Sequence, residues 1–450
     1  MTRPQKVYLE THGCQMNVRD SETILGLLEQ HGWGFASEPE TADLILINTC
    51  SVRDRAEQKT YSELGKYRLL KSRNPELLVG MAGCVAQQAG AEALARVKGL
   101  DLVCGTHNIH ELPGMIGERR ATGHPVVRAN FTYDDERIFQ SPVRPSERKV
   151  TAFVNVSIGC DHQCTYCIVP ATRGSEMSRR PEDILAEVRG LVEQGVREVT
   201  LLGQNVNSYG KQFAGGTGFG GLLRLVAAVE GLERVRFTTS HPADVQRDLV
   251  EVMAAEPKVM PHIHLPVQSG SDRVLRRMKR EYSRERYLEV VGWFREAVPG
   301  IAITTDIITG FPGETDADFE ATISLVEEVR FDSLFSFAYS PRPGTPALKL
   351  DRELPPEVGA ERLQRVQKLA AEIADEKLAA MVGSGQPVLF EGPSRQAENE
   401  LMGRTPSNIA VNVPAPLWRT GRTSTVRITQ KMAHTLRGEI TGAGEGDQAA

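Results

Sequence analysis

Cys160, Cys164 and Cys167 form a C-x3-C-x2-C run directly after an apolar stretch, Phe153–Ser157, that reads as a strand. Cysteines this close together are metal ligands rather than disulfide partners. A closed structural zinc site takes about four ligands. This run supplies three, with no fourth Cys or His at finger-like spacing downstream, and His162 inside the run is badly placed to complete a tetrahedron. A 4Fe-4S cluster held by three thiolates keeps one iron open to an external ligand, which makes it a reaction site as well as an electron store. The pattern therefore favours iron–sulfur over zinc.

Cys14, Cys50 and Cys84 are 36 and 34 residues apart, in the contexts T-H-G-C-Q-M-N, N-T-C-S-V-R and A-G-C-V-A-Q. Each follows a predicted strand, at Lys6–Glu10, Asp43–Asn48 and Leu77–Met81. In a parallel sheet the carboxyl ends of the strands share one edge, and ligands bind there. Three thiols distant in sequence would converge on that edge as a second cluster site. The alternative is three small buried cysteines. Gly13, Asn48, Thr49 and Gly83 flank the thiols and permit close backbone approach and N–H···S bonds.

The elements that must position these residues are legible in part. The chain has 450 residues, 40% hydrophobic and 25% charged, with a formal net charge of −5. That excludes a uniformly basic nucleic-acid coat but leaves room for local basic patches. No apolar run approaches the roughly 18 residues of a membrane span. An odd cysteine count, and no apolar signal core in Met1–Val7, point to a cytoplasmic protein with reduced thiols. Strands alternate with helices such as Ser21–Gln30, and a fourth strand is expected at Asp101–Cys104; this predicts an α/β parallel-sheet domain over 1–120. A Gly-, Pro- and Arg-rich stretch follows and reads as a linker over 121–145. Six further strand–helix units occupy 146–378, with strands expected at Phe153–Ser157, Glu198–Leu202, Val235–Thr238, His262–Pro266, Ile303–Ile308 and Leu334–Tyr339. Six units predict a partial (βα)6 barrel, short of the eight of a closed one. Ser340–Pro356 reads as a loop across the barrel mouth. Pro387–Glu391, Ala410–Val413 and Ser424–Thr429 are short strands separated by Gly or Pro, the pattern of a small β-barrel over 379–441. The tail at 442–450 is expected to fray.

With these residues in place, the chain resembles the radical S-adenosylmethionine (SAM) superfamily at Cys160–Cys167, including the aromatic Tyr166 before the third cysteine. It resembles the methylthiotransferase family along nearly its whole length: an N-terminal three-cysteine domain, a radical SAM barrel and a C-terminal TRAM-like RNA-binding domain. T-x-G-C-Q-M-N at Thr11–Asn17, G-Q-N-V-N-S-Y at Gly203–Tyr209 and H-L-P-V-Q-S-G-S at His264–Ser271 are similar to the tRNA-modifying bacterial branch. The resemblance implies two 4Fe-4S clusters, on Cys14/Cys50/Cys84 and on Cys160/Cys164/Cys167, with SAM chelated at the second. It implies two SAM per turnover, one donating a methyl to sulfur on the first cluster and one cleaved to a 5′-deoxyadenosyl radical. The product is the C2-methylthiolated N6-isopentenyladenosine (N6-dimethylallyladenosine) at position 37 of tRNA, beside the anticodon. Partners implied are the tRNA anticodon stem-loop, an electron donor such as a flavodoxin or ferredoxin, and a sulfur source. Cys104 has no counterpart in this ligand pattern and reads as structural; as a fourth ligand it would close the open iron.

SAM-contacting residues are expected at strand ends: Gly203, Gln204 and Asn205 after the second barrel strand, Ser240, Gln268 and Asp306 on later ones, with Tyr166 in the cluster loop. Candidate RNA contacts are Arg404, Arg419, Arg422, Arg427 and Lys431. Between Leu401 and Ile440 six basic residues stand against Glu439 alone, a net +5. The stretch Asp272–Arg286 carries a net +4, and Arg173, Arg179 and Arg180 follow the cluster loop; both groups are expected to meet phosphates. Gly210–Gly221 holds six glycines and reads as a mobile loop over the site. Two other readings stay open: the same reaction on threonylcarbamoyladenosine tRNA or a ribosomal-protein aspartate, and a non-catalytic redox-sensing RNA-binding protein.

Overall fold

The computed structural model describes residues 4–51, 54–133, 135–139, 143–144, 150–213, 216–351 and 354–441. The tail expected to fray, 442–450, and parts of the linker and of the glycine-rich loop lie outside the described residues. Among the described residues no helix is long and apolar enough to cross a membrane.

The N-terminal domain is a six-stranded parallel sheet in the order Gly34–Phe35, Lys6–His12, Leu44–Thr49, Leu78–Gly83, Leu102–Cys104, Val126–Arg128. Leu44–Thr49 and Leu78–Gly83 are buried at every position, as central strands covered on both faces must be. One face packs Leu44 and Leu46 against Ile24, Leu27 and Leu28 of the helix Gln15–Gln30. The other packs Ile45 and Ile47 against Leu64 and Tyr67. The three long strands end flush: His12 pairs with Thr49, and Thr49 with Gly83.

Two differences from the sequence expectation matter. The first helix starts at Gln15, not Ser21, with Cys14 at its N-cap; Arg19 and Asp20 are polar and hide the start, although both are buried. The expected linker contributes a strand, Val126–Arg128, to the sheet, after a helix Leu112–Thr122 that ends on Gly123 at φ 74°. A three-residue strand shows no periodicity to read.

The central domain holds six parallel strands in chain order: Thr151–Asn155, Glu198–Leu202, Arg234–Phe237, His262–His264, Ala302–Thr309 and Ser333–Ala338. A parallel bridge between Val235 and Val259 joins the two halves, giving the open barrel expected. Alternation along the strands sends Val154, Val199, Leu201, Val235, Phe237, Ile263 and Ile303 outward under the helices. It leaves Arg236, His264 and Asp306 on the opposite, inner face. Strand ends and the loops after them form the mouth. The Ser340–Pro356 stretch does cross it: Ala347 N–H donates to Thr165 O at 2.8 Å.

The C-terminal domain is a closed five-stranded barrel of Gly385–Pro393, Glu400–Arg404, Ala410–Pro414, Leu436–Ile440 and Thr423–Lys431. Glu400–Arg404 and Leu436–Ile440 escape sequence reading because each carries a glycine. At Gly403 the site of an added Cβ lies 2.4 Å from Leu389 O, so a side chain is excluded by the neighbouring strand. This barrel plugs the lower end of the central one. Arg234 donates to the carbonyls of Arg404 (2.7 Å) and Pro387 (3.0 Å). Arg236 donates to those of Pro406 and Thr405, both at 2.8 Å, and pairs with Glu198 at 3.0 Å.

Candidate functional site

Cys14, Cys50 and Cys84 stand just beyond the three flush strands, so the sheet itself brings them together. Cys50 N–H donates to His12 O at 3.1 Å, holding the second thiol loop against the first strand. Gly13 and Gly83 adopt φ of 130° and 85°, which side-chain-bearing residues rarely take. An added Cβ at Gly13 would lie 2.4 Å from Cys50 Cβ, and at Gly83 2.2 Å from Asn48 Oδ1. Glycine is required at both positions, beside Cys50 at the first and beside the Asn48 and Thr49 that precede Cys50 at the second. Asn48 fixes the floor, donating to Asn17 O at 2.8 Å and to Ser21 Oγ at 2.9 Å. A hydrogen bond from Cys50 lowers the Cys14 thiol to about 6, while burial raises that of Cys84. Arg173 Nε donates to Cys84 Sγ at 3.3 Å. Three soft sulfur donors brought together with a cation beside them fit an iron–sulfur cluster.

Cys160, Cys164 and Cys167 occupy the loop after the first barrel strand. Val169 N–H donates to Cys167 Sγ at 3.4 Å, and Arg280 Nη1 to Cys164 Sγ at 3.5 Å. Burial pushes the Cys160 thiol up to about 12 and that of Cys167 to about 11. Such thiols are held as thiolates by a bound metal and its charge. Arg280 is itself buried and anchored by Pro266 O at 2.8 Å and Tyr282 Oη at 3.0 Å.

Beside this loop opens a cavity of about 810 Å3 lined by Asp161, His162, Gln163, Glu176, Asn205, Lys211, Gln212, Asp244, Arg276, Lys279, Arg280 and Glu281. Asp244 is its hub, accepting from Asn205 Nδ2 at 2.6 Å, Lys211 Nζ at 2.8 Å and His162 Nε2 at 2.5 Å. Burial opposes ionisation there, but the hydrogen bonds from His162, Lys211 and Asn205 prevail and hold the carboxyl well below its usual range. His162 stacks on His241, ring centroids 3.7 Å apart, and burial together with Arg280 pushes His241 down to about 2. Charged and polar groups of both signs at the strand ends suit a zwitterionic ligand.

Of the SAM contacts expected from sequence, Asn205 lines this cavity. Gln204 turns instead to accept the Gly159 N–H under the cluster loop. Gly203 backs onto Ser157, whose Oγ lies 2.4 Å from where a Cβ would be. Tyr166 meets Phe311 edge-on and Ser240 is buried with its Oγ unpartnered. Gln268 takes a φ of 72°, and Asp306 pairs with His264 at 3.4 Å. Asp244, Lys211 and His241 went unread, because a polar residue in a loop carries no periodic signal, and Arg280 was read only as one of the phosphate-facing cations of its basic stretch. Cys104 is fully buried in the apolar layer with Ile109 and Leu112.

The phosphate reading of Arg173 and Arg179 is corrected: both are buried, on Asp20 and Glu187 respectively. In the Asp272–Arg286 stretch Arg273, Arg277, Arg284 and Arg286 pair with Asp318, Asp351, Glu328 and Glu289, and Arg280 is buried. Arg276 and Lys279 face the cavity. In the small barrel Arg404 pairs with Glu391 at 3.1 Å, Arg427 with Glu439 at 3.4 Å, and Lys431 with Asp375. Arg419 and Arg422 flank the half-exposed ring of Trp418, 4.5 and 4.9 Å from its centroid.

Comparison with known proteins matches residues 6–105 to the uncharacterized protein family UPF0004, 154–326 to the radical SAM superfamily and 379–441 to the TRAM domain. The tRNA-2-methylthio-N(6)-dimethylallyladenosine synthases of Geobacter metallireducens and Geobacter sulfurreducens are each 50% identical over 445 residues, 98% of this chain and 99% and 98% of their own lengths. That of Burkholderia thailandensis is 46% identical over 455 residues. Among solved structures, the radical S-adenosylmethionine methyltransferase TsrM from Kitasatospora setae shares the fold at a TM-score of 0.55 and 16% identity, covering 76% of this chain and 74% of its own. The cobalamin-dependent enzyme OxsB does so at 0.52 and 12%, covering 82% and 56%. With half the sequence shared over nearly the full length of both chains, and radical SAM and TRAM domains matched in this one, the chain belongs to the tRNA-2-methylthio-N(6)-dimethylallyladenosine synthase family of radical SAM enzymes.

Proposed function

We propose that the chain methylthiolates C2 of N6-dimethylallyladenosine at position 37 of tRNA, with the two thiol trios dividing the labour. The observation that carries this division is that the trios stand at the strand ends of two different sheets, and one of them borders the 810 Å3 cavity. C2 is an unactivated aromatic C–H carbon, so acid–base chemistry alone would struggle there. Cys160, Cys164 and Cys167 would hold a 4Fe-4S cluster, which would supply an open iron for SAM and an electron for its reductive cleavage. Around it the chain's residues bind and orient. Asn205 and Asp244 offer amide and carboxylate oxygens to the cofactor's amino and ribose groups. Arg276 and Lys279 offer cations to its carboxylate or to RNA phosphate. Cys14, Cys50 and Cys84 hold the sulfur-carrying cluster. The half-exposed Trp418, with the cations Arg419 and Arg422 close to its ring, gives the TRAM domain an aromatic and basic surface suited to RNA. A flavodoxin or ferredoxin would serve as electron donor and an external source would supply the sulfur, and the enzyme works in the cytoplasm.

The test quantifies 5′-deoxyadenosine and 2-methylthio nucleoside side by side. Cys164→Ala loses both. Cys50→Ala keeps SAM cleavage and loses the methylthio product. A Cys50→Ala chain that retains its barrel cluster but cannot cleave SAM sinks the division of labour.

A further inference from the structure

Arg173 sits between the two thiol sites and belongs to both. It ends the short helix Val169–Arg173, whose first N–H bonds Cys167 Sγ at 3.4 Å. Its guanidinium reaches into the other domain, Nε to Cys84 Sγ at 3.3 Å, Nη1 and Nη2 to the two oxygens of Asp20 at 3.1 and 2.6 Å. Asp20 lies on the helix Gln15–Gln30, which Cys14 caps. The Arg173 and Asp20 side chains are both buried, at 5% and 7% exposure. The backbone around Arg173 is bolted in place as well: Thr106 Oγ1 donates to Thr172 O at 2.7 Å, His107 Nε2 lies 2.8 Å from Arg173 O, and Cys160 N–H donates to Gly174 O at 3.1 Å.

A bidentate carboxylate alone would satisfy the fork. The third direction, Nε to sulfur, gives the arginine a further task. Burying an ion pair is a poor route to stability, since apolar side chains of equal volume serve as well. A buried cation that donates to a cluster thiolate stabilises the more negative, reduced state, because charge acts strongly where water is excluded. The carboxylate of Asp20 partly cancels it and sets the size of the effect.

We propose that Arg173 is a positioning residue that sets the reduction potential of the cluster on Cys14, Cys50 and Cys84, with Asp20 as its counterweight. The proposal rests on the assignment of those thiols as a cluster site. Because the same short helix bonds Cys167, the two sites are also held in fixed relation.

The experiment is a redox titration by electron paramagnetic resonance of the full-length, anaerobically reconstituted chain in a Cys164→Ala background, where the N-terminal trio alone is complete. Asp20→Asn leaves the cation uncompensated and raises the midpoint potential. The neutral pair Asp20→Asn/Arg173→Gln keeps hydrogen bonding without burying a lone charge, and lowers it. Each change is about tenfold in the reduction equilibrium, which is about 59 mV for one electron. Arg173→Lys, which keeps charge but loses the fork, falls between. Equal midpoints in every chain that loads iron overturn the proposal, as does loss of the N-terminal iron in all three, which marks a merely structural pair. Failure of the underlying assignment looks different: Cys84→Ala in the otherwise native chain would then keep the full iron content.

Discussion

Gly83 shows how tightly single residues are constrained beside the first thiol trio. Its φ of 85° and the 2.2 Å approach of Asn48 Oδ1 leave no room for a methyl group, and Thr49 O stands 3.0 Å away on rigid backbone. Gly83→Ala is expected to cost ~1–3 kcal/mol of local strain. It should lower reconstituted iron from about eight to about four per chain while SAM cleavage persists. Iron counting and 5′-deoxyadenosine formation on one sample check this, and undiminished iron would refute it. Spacing alone pointed to Cys160, Cys164 and Cys167 as ligands, while Cys14, Cys50 and Cys84 stayed open between a cluster site and small buried cysteines until the family resemblance was added; Gly83 was legible as a small neighbour. Arg173 and Asp20 were not. A basic residue after a cluster loop reads as a phosphate ligand, and its burial depends on a partner 153 residues away in sequence.

At the scale of elements, the strands Arg234–Phe237 and His262–His264 were expected for their apolar outward faces. Their inner faces hold the less visible work. His262 is half-buried, with Arg236, His264 and Arg404 nearby, and its desolvation followed by the Arg236 charge pushes it down to about 3. Its ordinary value is 6.5. Between those values the unfolded chain takes up a proton that the native chain refuses. Stability from this group is therefore complete above pH 6.5 and is lost as pH falls toward 3. The melting temperature of His262→Gln should fall less steeply between pH 7.5 and 5.5 than that of the native chain, on the order of one proton less in the linkage. Parallel slopes would show that His262 is protonated in the native state. The helix starting at Gln15 was placed six residues late from sequence because Arg19, Asp20 and Glu22 are buried polar residues on what reads as a solvent face.

The whole molecule depends on how the small barrel closes the lower end of the large one. Arg234 and Arg236 give four hydrogen bonds to carbonyls of the TRAM domain, from 2.7 to 3.0 Å. Removing them leaves buried acceptors without donors, at ~1–3 kcal/mol each. Arg234→Leu/Arg236→Leu should loosen the junction so that trypsin separates a fragment beginning near Lys377, while the remaining chain keeps its iron. Digestion indistinguishable from that of the native chain would place the cohesion elsewhere, on the helix Pro356–Ala380. Domain order was readable because each domain has its own periodicity. The plug was not, since strand-borne arginines and a Thr-Pro loop show no pattern until the two are in contact.

The hydrogen bond that lowers Cys14 to about 6 has a consequence for the chain before any metal arrives. A thiolate facing a second thiol is the starting point for disulfide formation, and the lower its pKa, the larger the reactive fraction at neutral pH. Newly made, iron-free protein in air should close Cys14 onto Cys50, the pair giving two electrons and two protons to dioxygen, which leaves as hydrogen peroxide, while Cys84 stays reduced. Alkylation and peptide mass analysis before and after reductant would reveal it; free thiols at both positions after prolonged aeration would argue against it. Assembly of this centre is then a race between iron delivery and oxidation, and the cell must keep the nascent chain reduced to win it.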